Sequence, residues 1–223
     1  MPLQRVLEPE VMDSAEEAFD YDAMDHSAVN ELFVNELIGF ASSQNKSISK
    51  VLDLGTGTAL IPIELCKTHD SCEVVAIDMA QHMLDLASKN VVEAGLSERI
   101  ELQKVDAKAL PYDDGVFPCV MTNSIIHHIP NPQNCIDELA RVVQSGGVIY
   151  VRDLMRPEND EQVEHLVQTY AGDESEHSRQ MFDDSLRAAL SLDEIREMVV
   201  ACGLAADTVK ATSDRHWTWA AIK

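Results

Sequence analysis

The stretch VLDLGTGTAL, Val51 to Leu60, decides the fold. Val-Leu-Asp-Leu reads as a strand, and Ala-Leu-Ile-Pro-Ile-Glu-Leu, from Ala59, reads as the start of a helix. Gly55 and Gly57 lie between them. A glycine-rich turn from strand to helix lets a ligand approach the backbone closely, because no side chain stands in the way. Nucleotide-like cofactors bind at such turns, and the rest of the chain narrows the choice among them.

Working outward, strands alternate with helices. Lys50–Leu54 is the first predicted strand, and Ala59–Thr68 a helix that holds Pro62 in its first turn, where proline is tolerated. Glu73–Ile77 is the next strand. Met79–Ala94 follows as a helix with Met83, Ala87, Val91 and Ala94 on one face and Gly95 as its stop. Strands are expected at Arg99–Lys104 and Pro118–Ser124. Asn131 then caps a helix whose first residue is Pro132 and whose apolar stripe is Ile136, Leu139, Ala140 and Val143. Gly146-Gly147 turns into a strand over Val148–Leu154. Strands separated by helices imply an α/β fold built on a parallel sheet with right-handed crossovers.

Two segments stand outside the alternation. An N-terminal arm carries EEAFDYDAMDH and then a helix from Ala28 to Phe40 with Val29, Phe33, Leu37 and Phe40 on one side. Pro157–Leu190 reads as two helices, the first marked by Val163, Leu166, Val167 and Tyr170, broken by the polar run AGDESEHSRQ. Ser191 and Glu194 then form a capping box before EIREMVVACGL, and strand-like runs close the chain at Ala206–Thr212 and His216–Ile222. One domain is expected, with an arm and helix over 1–45, a cofactor-binding core over 46–156, a helical insertion or lid over 157–190, and a C-terminal helix and strands over 191–223.

Composition excludes several classes. The 223 residues include 17 basic and 39 acidic side chains, a net charge of -22. Nucleic acid and anionic membranes need a positive footprint, so neither is expected as a partner. The excess acid reads as solubility. Five scattered cysteines form no C-x-x-C pair and no zinc set, which fits a reduced cytoplasmic thiol inventory. No window approaches the ~20 apolar residues of a membrane span.

The cofactor follows from the loop and the acids around it. A dinucleotide site prefers G-x-G-x-x-G, and the third glycine is replaced here by Leu60. The pattern is instead D-x-G-x-G-x-A, from Asp53 to Ala59, with a carboxylate just before the glycines. That acid suits a cofactor bearing an ammonium better than one bearing a pyrophosphate, which points to S-adenosylmethionine. Asp78 ends the second strand in VVAIDMA, where the fold presents a carboxylate to ribose hydroxyls. Met79 is placed against the adenine face. Asp106 follows the third strand in LQKVDAKAL as an acceptor for the adenine amino group.

The chain then resembles the class I S-adenosylmethionine-dependent methyltransferases of the small-molecule type. VLDLGTGTA, VVAIDMA, KVDAKALPY, FPCVMTNSIIHHIPNP and ELARVVQSGGVIYVRDLM carry the resemblance, and SLDEIREMVVACGL extends it loosely. The terminal stretches LEPEVMD, YDAMDHSAVN and TSDRHWTW resemble a bacterial group whose substrate is unassigned. The resemblance implies a Rossmann-like, doubly wound, mostly parallel seven-stranded α/β sheet with helices on both faces and one antiparallel strand near the C-terminus, and it implies that Asp53, Gly55, Thr56 and Gly57 form the methionine-side loop. It implies that Asp78 and Met79 hold the nucleoside, and that Asp106 and Ala107 bind the adenine. Asn123 and Ser124 come next to the sulfonium, and Tyr21 and His26 close over the cofactor. A small molecule is the expected acceptor; oligomeric state is undetermined.

Methyl transfer is an in-line displacement with an excellent sulfonium leaving group, so positioning and desolvation supply much of the acceleration. His127, His128 and Asp153 are the catalytic candidates. Each histidine reads either as a proton acceptor or as a residue that fixes its loop by a hydrogen bond. Arg152, next to Asp153, suits a substrate carboxylate. No third ligand of suitable spacing accompanies the histidine pair, so no metal is expected. Trp217 and Trp219 share one strand face and read as core. Two other classes stay open: a non-catalytic S-adenosylmethionine-binding sensor or scaffold, and a nicotinamide-dependent oxidoreductase, against which the glycine spacing argues.

Overall fold

The structure, a computed structural model, describes residues 3–8, 15–23 and 26–223. Its elements in chain order are α1 (Ala15–Ala23), α2 (Ser27–Ser43), β1 (Lys50–Leu54), α3 (Leu60–Thr68), β2 (Glu73–Asp78), α4 (Gln81–Glu93), β3 (Ile100–Lys104) and β4 (Phe117–Asn123). They continue with α5 (Gln133–Val142), β5 (Val143–Leu154), α6 (Asp160–Ala171), α7 (Glu176–Ala188), α8 (Leu192–Ala201), β6 (Val209–Ala211) and β7 (His216–Ile222).

The strands form one seven-stranded sheet in the order β3-β2-β1-β4-β5-β7-β6. β1 runs parallel to both β2 and β4, and β2 parallel to β3. β7 is antiparallel to β6. Backbone bonds join Gly146 to Lys223 at one end of β5 and Met155 to Arg215 at the other, so β7 also runs against β5. This is the doubly wound, mostly parallel sheet with a reversed C-terminal strand expected from the sequence. The near-continuous apolar runs of β1 and β2, buried from Val51 to Leu54 and from Val74 to Ile77, suit parallel strands covered on both faces. The strand order reverses between β1 and β4, and ligands bind outside the carboxyl ends of strands at such a switch.

The chain divides into two compact units, one built from residues 11–122, 134–150 and 220–223, the other from the described residues of 1–10 with 123–133 and 151–219. In the first, α2 buries Phe33, Val34, Leu37 and Ala41, and the Phe33 ring meets Tyr150 edge-on at 5.2 Å. Val29, expected on that stripe, is exposed; the buried line starts instead at Asn30, one position around the helix. β5 begins at Val143, before the glycine pair expected to turn into it. The strand can carry on through these glycines because Gly146 takes φ +77°. A Cβ on Gly147 would lie 2.9 Å from the Pro118 carbonyl oxygen.

In the second unit α6 and α7 form a core of their own from Val163, Leu166, Leu186 and Ala189, joined by Leu154 and the partly buried Leu3. The polar run between them is shorter than expected. Ser175 caps α7 by accepting from the Ser178 N–H at 3.0 Å, so helix resumes inside the run at Glu176. Tyr170 leaves the apolar stripe for the surface, where its hydroxyl donates to Asp214 at 2.7 Å and Arg215 covers its ring. The Ser191–Glu194 capping box forms in both directions, and Trp217 and Trp219 are fully buried.

Candidate active site

In the first unit the loop after β1 is held in a left-handed path. Gly55, Gly57 and also Ala59 have positive φ, at 67°, 56° and 63°. Alanine at Ala59 costs about 1 kcal/mol in that region relative to glycine, so the loop stores a little strain. Asp53, at the loop's entry, is 3% exposed. Its Oδ2 and the hydroxyls of Thr56 and Thr58 are buried without a hydrogen-bond partner among the described residues. Burial pushes the Asp53 carboxyl up to about 7; the Thr56 side chain pulls the other way, and the charge of Asp78 raises it further. A buried acid beside unmet polar atoms can accept from a cation that carries N–H donors.

Asp78 ends β2 and ties the loop down. Its Oδ2 accepts the Gly57 N–H and its Oδ1 the Ala80 N–H, both at 2.8 Å. Both carboxylate oxygens are used, so these bonds fix the orientation of the group at the loop. Met79 beside it is 39% exposed. Asp106, after β3, takes the Lys108 N–H at 2.9 Å and the Lys108 ammonium at 3.0 Å on Oδ1. Its desolvation raises the carboxyl pKa, but these Lys108 contacts outweigh that and hold it below the usual range. Ala107 is half-buried in the same turn. Asp53, Asp78 and Asp106 thus sit at or just after the carboxyl ends of three adjacent parallel strands. α1 packs Ala18 against Ala80 and Met83, and Asp22 accepts from Asn90 at 2.8 Å, which sets this helix beside the Asp78 turn. The Tyr21 side chain lies outside the described residues. His26 precedes α2, where its carbonyl accepts the Asn30 N–H.

The second unit begins where β4 ends. Asn123 is its last residue, and Ser124 takes φ 59°, a left-handed conformation unusual for serine. The chain then makes a single turn of helix over Ile126–His128. His127 is 4% exposed. Its Nδ1 meets Asp153 Oδ1 at 2.5 Å, while Asp153, 1% exposed, also accepts the N–H groups of Ile126 and Leu154 at 2.6 Å. Desolvation lowers the His127 pKa, but the Asp153 charge and hydrogen bond outweigh it and the net direction is up. Desolvation raises the Asp153 pKa, but the His127 charge and hydrogen bond together with the Leu154 and Ile126 N–H bonds outweigh it, and the net direction is down. The pair is therefore a buried, oriented dyad. Arg152, the neighbour of Asp153 on β5, donates from Nε to Thr218 at 3.1 Å.

Sequence reasoning missed two residues here. Arg5 donates to the carbonyls of His127, Ile129, Pro130 and Ala188, at 2.6–3.1 Å, and so clamps the histidine loop. Glu8 places Oε1 3.1 Å from His128 Nδ1 and 3.6 Å from His127 Nε2. Their segment lies along the second unit through Leu3 N–H to Glu158 and Val6 N–H to Arg187, both 3.1 Å. Glu8 lies in the LEPEVMD stretch that carries part of the resemblance, whereas Arg5 precedes it and no sequence signal marked it. A cleft of about 1130 Å³ in this unit is lined by Arg5, Met155, Arg156, His165, Leu166 and Glu194 among others, with Arg156 paired to Glu194 at 2.7 Å.

Comparison with known proteins finds methyltransferases among both sequence relatives and solved structures. The 27-O-demethylrifamycin SV methyltransferase of Amycolatopsis mediterranei is 27% identical over 176 residues, covering 77% of this chain and 61% of that protein. The demethylmenaquinone methyltransferase of Lactobacillus johnsonii is 33% identical over 109 residues, 48% of this chain and 45% of that protein. The chain thus spans between 45% and 61% of the length of these relatives. Among solved structures, the plantazolicin methyltransferase BpumL in complex with a triazolic desmethylPZN analog and SAH superposes with TM-score 0.71 at 14% identity, covering 94% of each chain. A SAM-dependent methyltransferase from Aquifex aeolicus superposes with TM-score 0.64 at 18% identity, covering 94% of this chain and 98% of that one. Residues 45–201 match the family described as "Methyltransferase domain", a span that takes in β1 to β5 with all three acidic strand ends. On that match the chain belongs to the methyltransferase-domain family.

Proposed function

We propose that the protein transfers a methyl group from S-adenosylmethionine to a small-molecule acceptor. The observation that carries this is the buried, half-neutral Asp53 beneath a left-handed loop whose Gly57 N–H is bonded to Asp78, with Asp106 one strand further along. On this reading Asp53 with Gly55, Thr56 and Gly57 receives the methionine ammonium. Asp78 takes the ribose hydroxyls, Met79 lies on the adenine, and Asp106 with Ala107 takes the adenine amino group. Tyr21 and His26 belong to the arm proposed to close over the cofactor, and Asn123 and Ser124 to the sulfonium end. The small-molecule class of acceptor is supported by relatives named for rifamycin, menaquinone and plantazolicin methylation.

The displacement needs an aligned acceptor and a dry site more than it needs a base. His127, held by Asp153, is assigned a positioning role for the loop. The 223 residues act as one methyltransferase domain with an added arm and helical insertion. Among the described residues no helix is long and apolar enough to cross a membrane, and we place the protein in the cytoplasm. Calorimetry with S-adenosylhomocysteine and with NAD tests the cofactor assignment. Micromolar binding of the first alone is expected, about -8 kcal/mol, and binding of NAD alone would replace this reading with the oxidoreductase.

A further inference from the structure

We propose that Glu8, His127 and His128 bind one divalent transition-metal ion of the zinc class. Glu8 Oε1, His127 Nε2 and His128 Nδ1 offer one ligand atom each, all within 4.8 Å of one another. Two of the separations, 3.1 and 3.6 Å, bracket the distance between ligands around a tetrahedral zinc, about 3.3 Å for bonds of about 2.0–2.1 Å. Adjacent histidines alone cannot complete such a site. The third ligand comes from the N-terminal segment, fixed in place by Arg5 and by the Val6–Arg187 backbone bond.

Two further features point to a metal. Glu8 Oε1 and His128 Nδ1 are buried, and neither has an aligned hydrogen-bond partner among the described residues, although they face one another. Leaving such atoms unmet is costly, and a shared cation satisfies both. The outer partners are also present: Asp153 holds His127 Nδ1, which directs Nε2 to the metal, and Ser185 donates to Glu8 Oε2 at 3.2 Å, which directs Oε1 to it. The carboxylates of Glu8 and Asp153 together balance a dication over neutral imidazoles. Arg5 is the opposing charge nearby, with its N–H groups turned to backbone carbonyls. Three protein ligands leave a fourth position for water or an acceptor heteroatom.

The test uses the full chain, stripped with a chelator and titrated with zinc in competition with a chromophoric chelator. One ion per chain is expected, with Glu8→Gln and His128→Asn each weakening it more than tenfold and Asp153→Asn by about 10–100-fold. Cobalt substitution should give the intense visible bands of a four-coordinate site without thiolate charge transfer, which separates this site from the cysteines. S-adenosylhomocysteine affinity, read on the same samples, reports on the cofactor assignment independently of the metal. Absence of stoichiometric zinc binding, or binding indifferent to both Glu8→Gln and His128→Asn in folded protein, overturns the proposal.

Discussion

Acidifying the solution from about pH 7 to about pH 5.5 should weaken S-adenosylmethionine binding about sixteenfold. Asp53 titrates at about 7 because it is buried, with Oδ2 unpartnered. At neutral pH half of the molecules carry the charge that the ammonium needs, and at pH 5.5 only about 3% do. The cofactor's own amino group keeps its proton over that range, with a reference pKa of ~8, so Asp53 is the group that changes. Binding near pH 6 should expel about 0.9 proton per site. Calorimetry in buffers of different ionisation enthalpy reads both the affinity and the proton count. The apo protein should show the converse. A carboxyl whose folded pKa is raised stabilises the fold at low pH, and that contribution fades as pH rises from ~4 through about 7. Asp53→Asn should remove the pH slope and weaken neutral-pH binding about ten- to hundredfold, the loss of one charge-assisted bond of ~1.5–3 kcal/mol. A flat affinity across this range, with no proton released, would refute the assignment of Asp53 to the ammonium.

Other outcomes follow from the same geometry. Asp78→Asn should weaken S-adenosylhomocysteine binding at least about tenfold, and because Asp78 also takes the Gly57 and Ala80 N–H groups it should lower the melting temperature too; unchanged affinity in a folded variant rules out the ribose role. Arg5→Ala should cost about 2–3 kcal/mol by denaturant titration, since the guanidinium's carbonyl bonds go together. His127→Ala should cost about 3 kcal/mol by leaving Asp153 a buried, unpaired charge, yet leave cofactor affinity nearly unchanged; a large drop in affinity would contradict a role confined to the histidine loop. If α6 and α7 serve as a lid, their amides should exchange more slowly with S-adenosylhomocysteine bound, and unchanged exchange removes that role.

The parallel core was legible because its signals are local. The apolar run Val51–Leu54, the glycines after it, and acids at or after the ends of β1, β2 and β3 each occupy a few consecutive residues. What was lost depends on contacts distant in sequence. Val29 sits at the right helical spacing from Phe33, but the partner surface is met by Asn30, Phe33, Val34 and Leu37, and only the packing of α2 reveals that. The start of β5 at Val143 was hidden because Gly146-Gly147 reads as a turn, whereas pairing with Lys223 carries the strand through. The Arg5 clamp and the Glu8 carboxylate were invisible for the same reason: the segment holding them meets the histidine loop more than a hundred residues later, and no periodicity encodes such a meeting.

Transfer of label from S-adenosyl-[methyl-¹⁴C]methionine into a fractionated metabolite extract tests the central claim most directly. The account predicts label in one or a few small, dialysable fractions, dependent on protein and greatly reduced by Asp78→Asn. Stoichiometric cofactor binding with no label transferred to any fraction would contradict it and make the chain a sensor or scaffold for the cofactor.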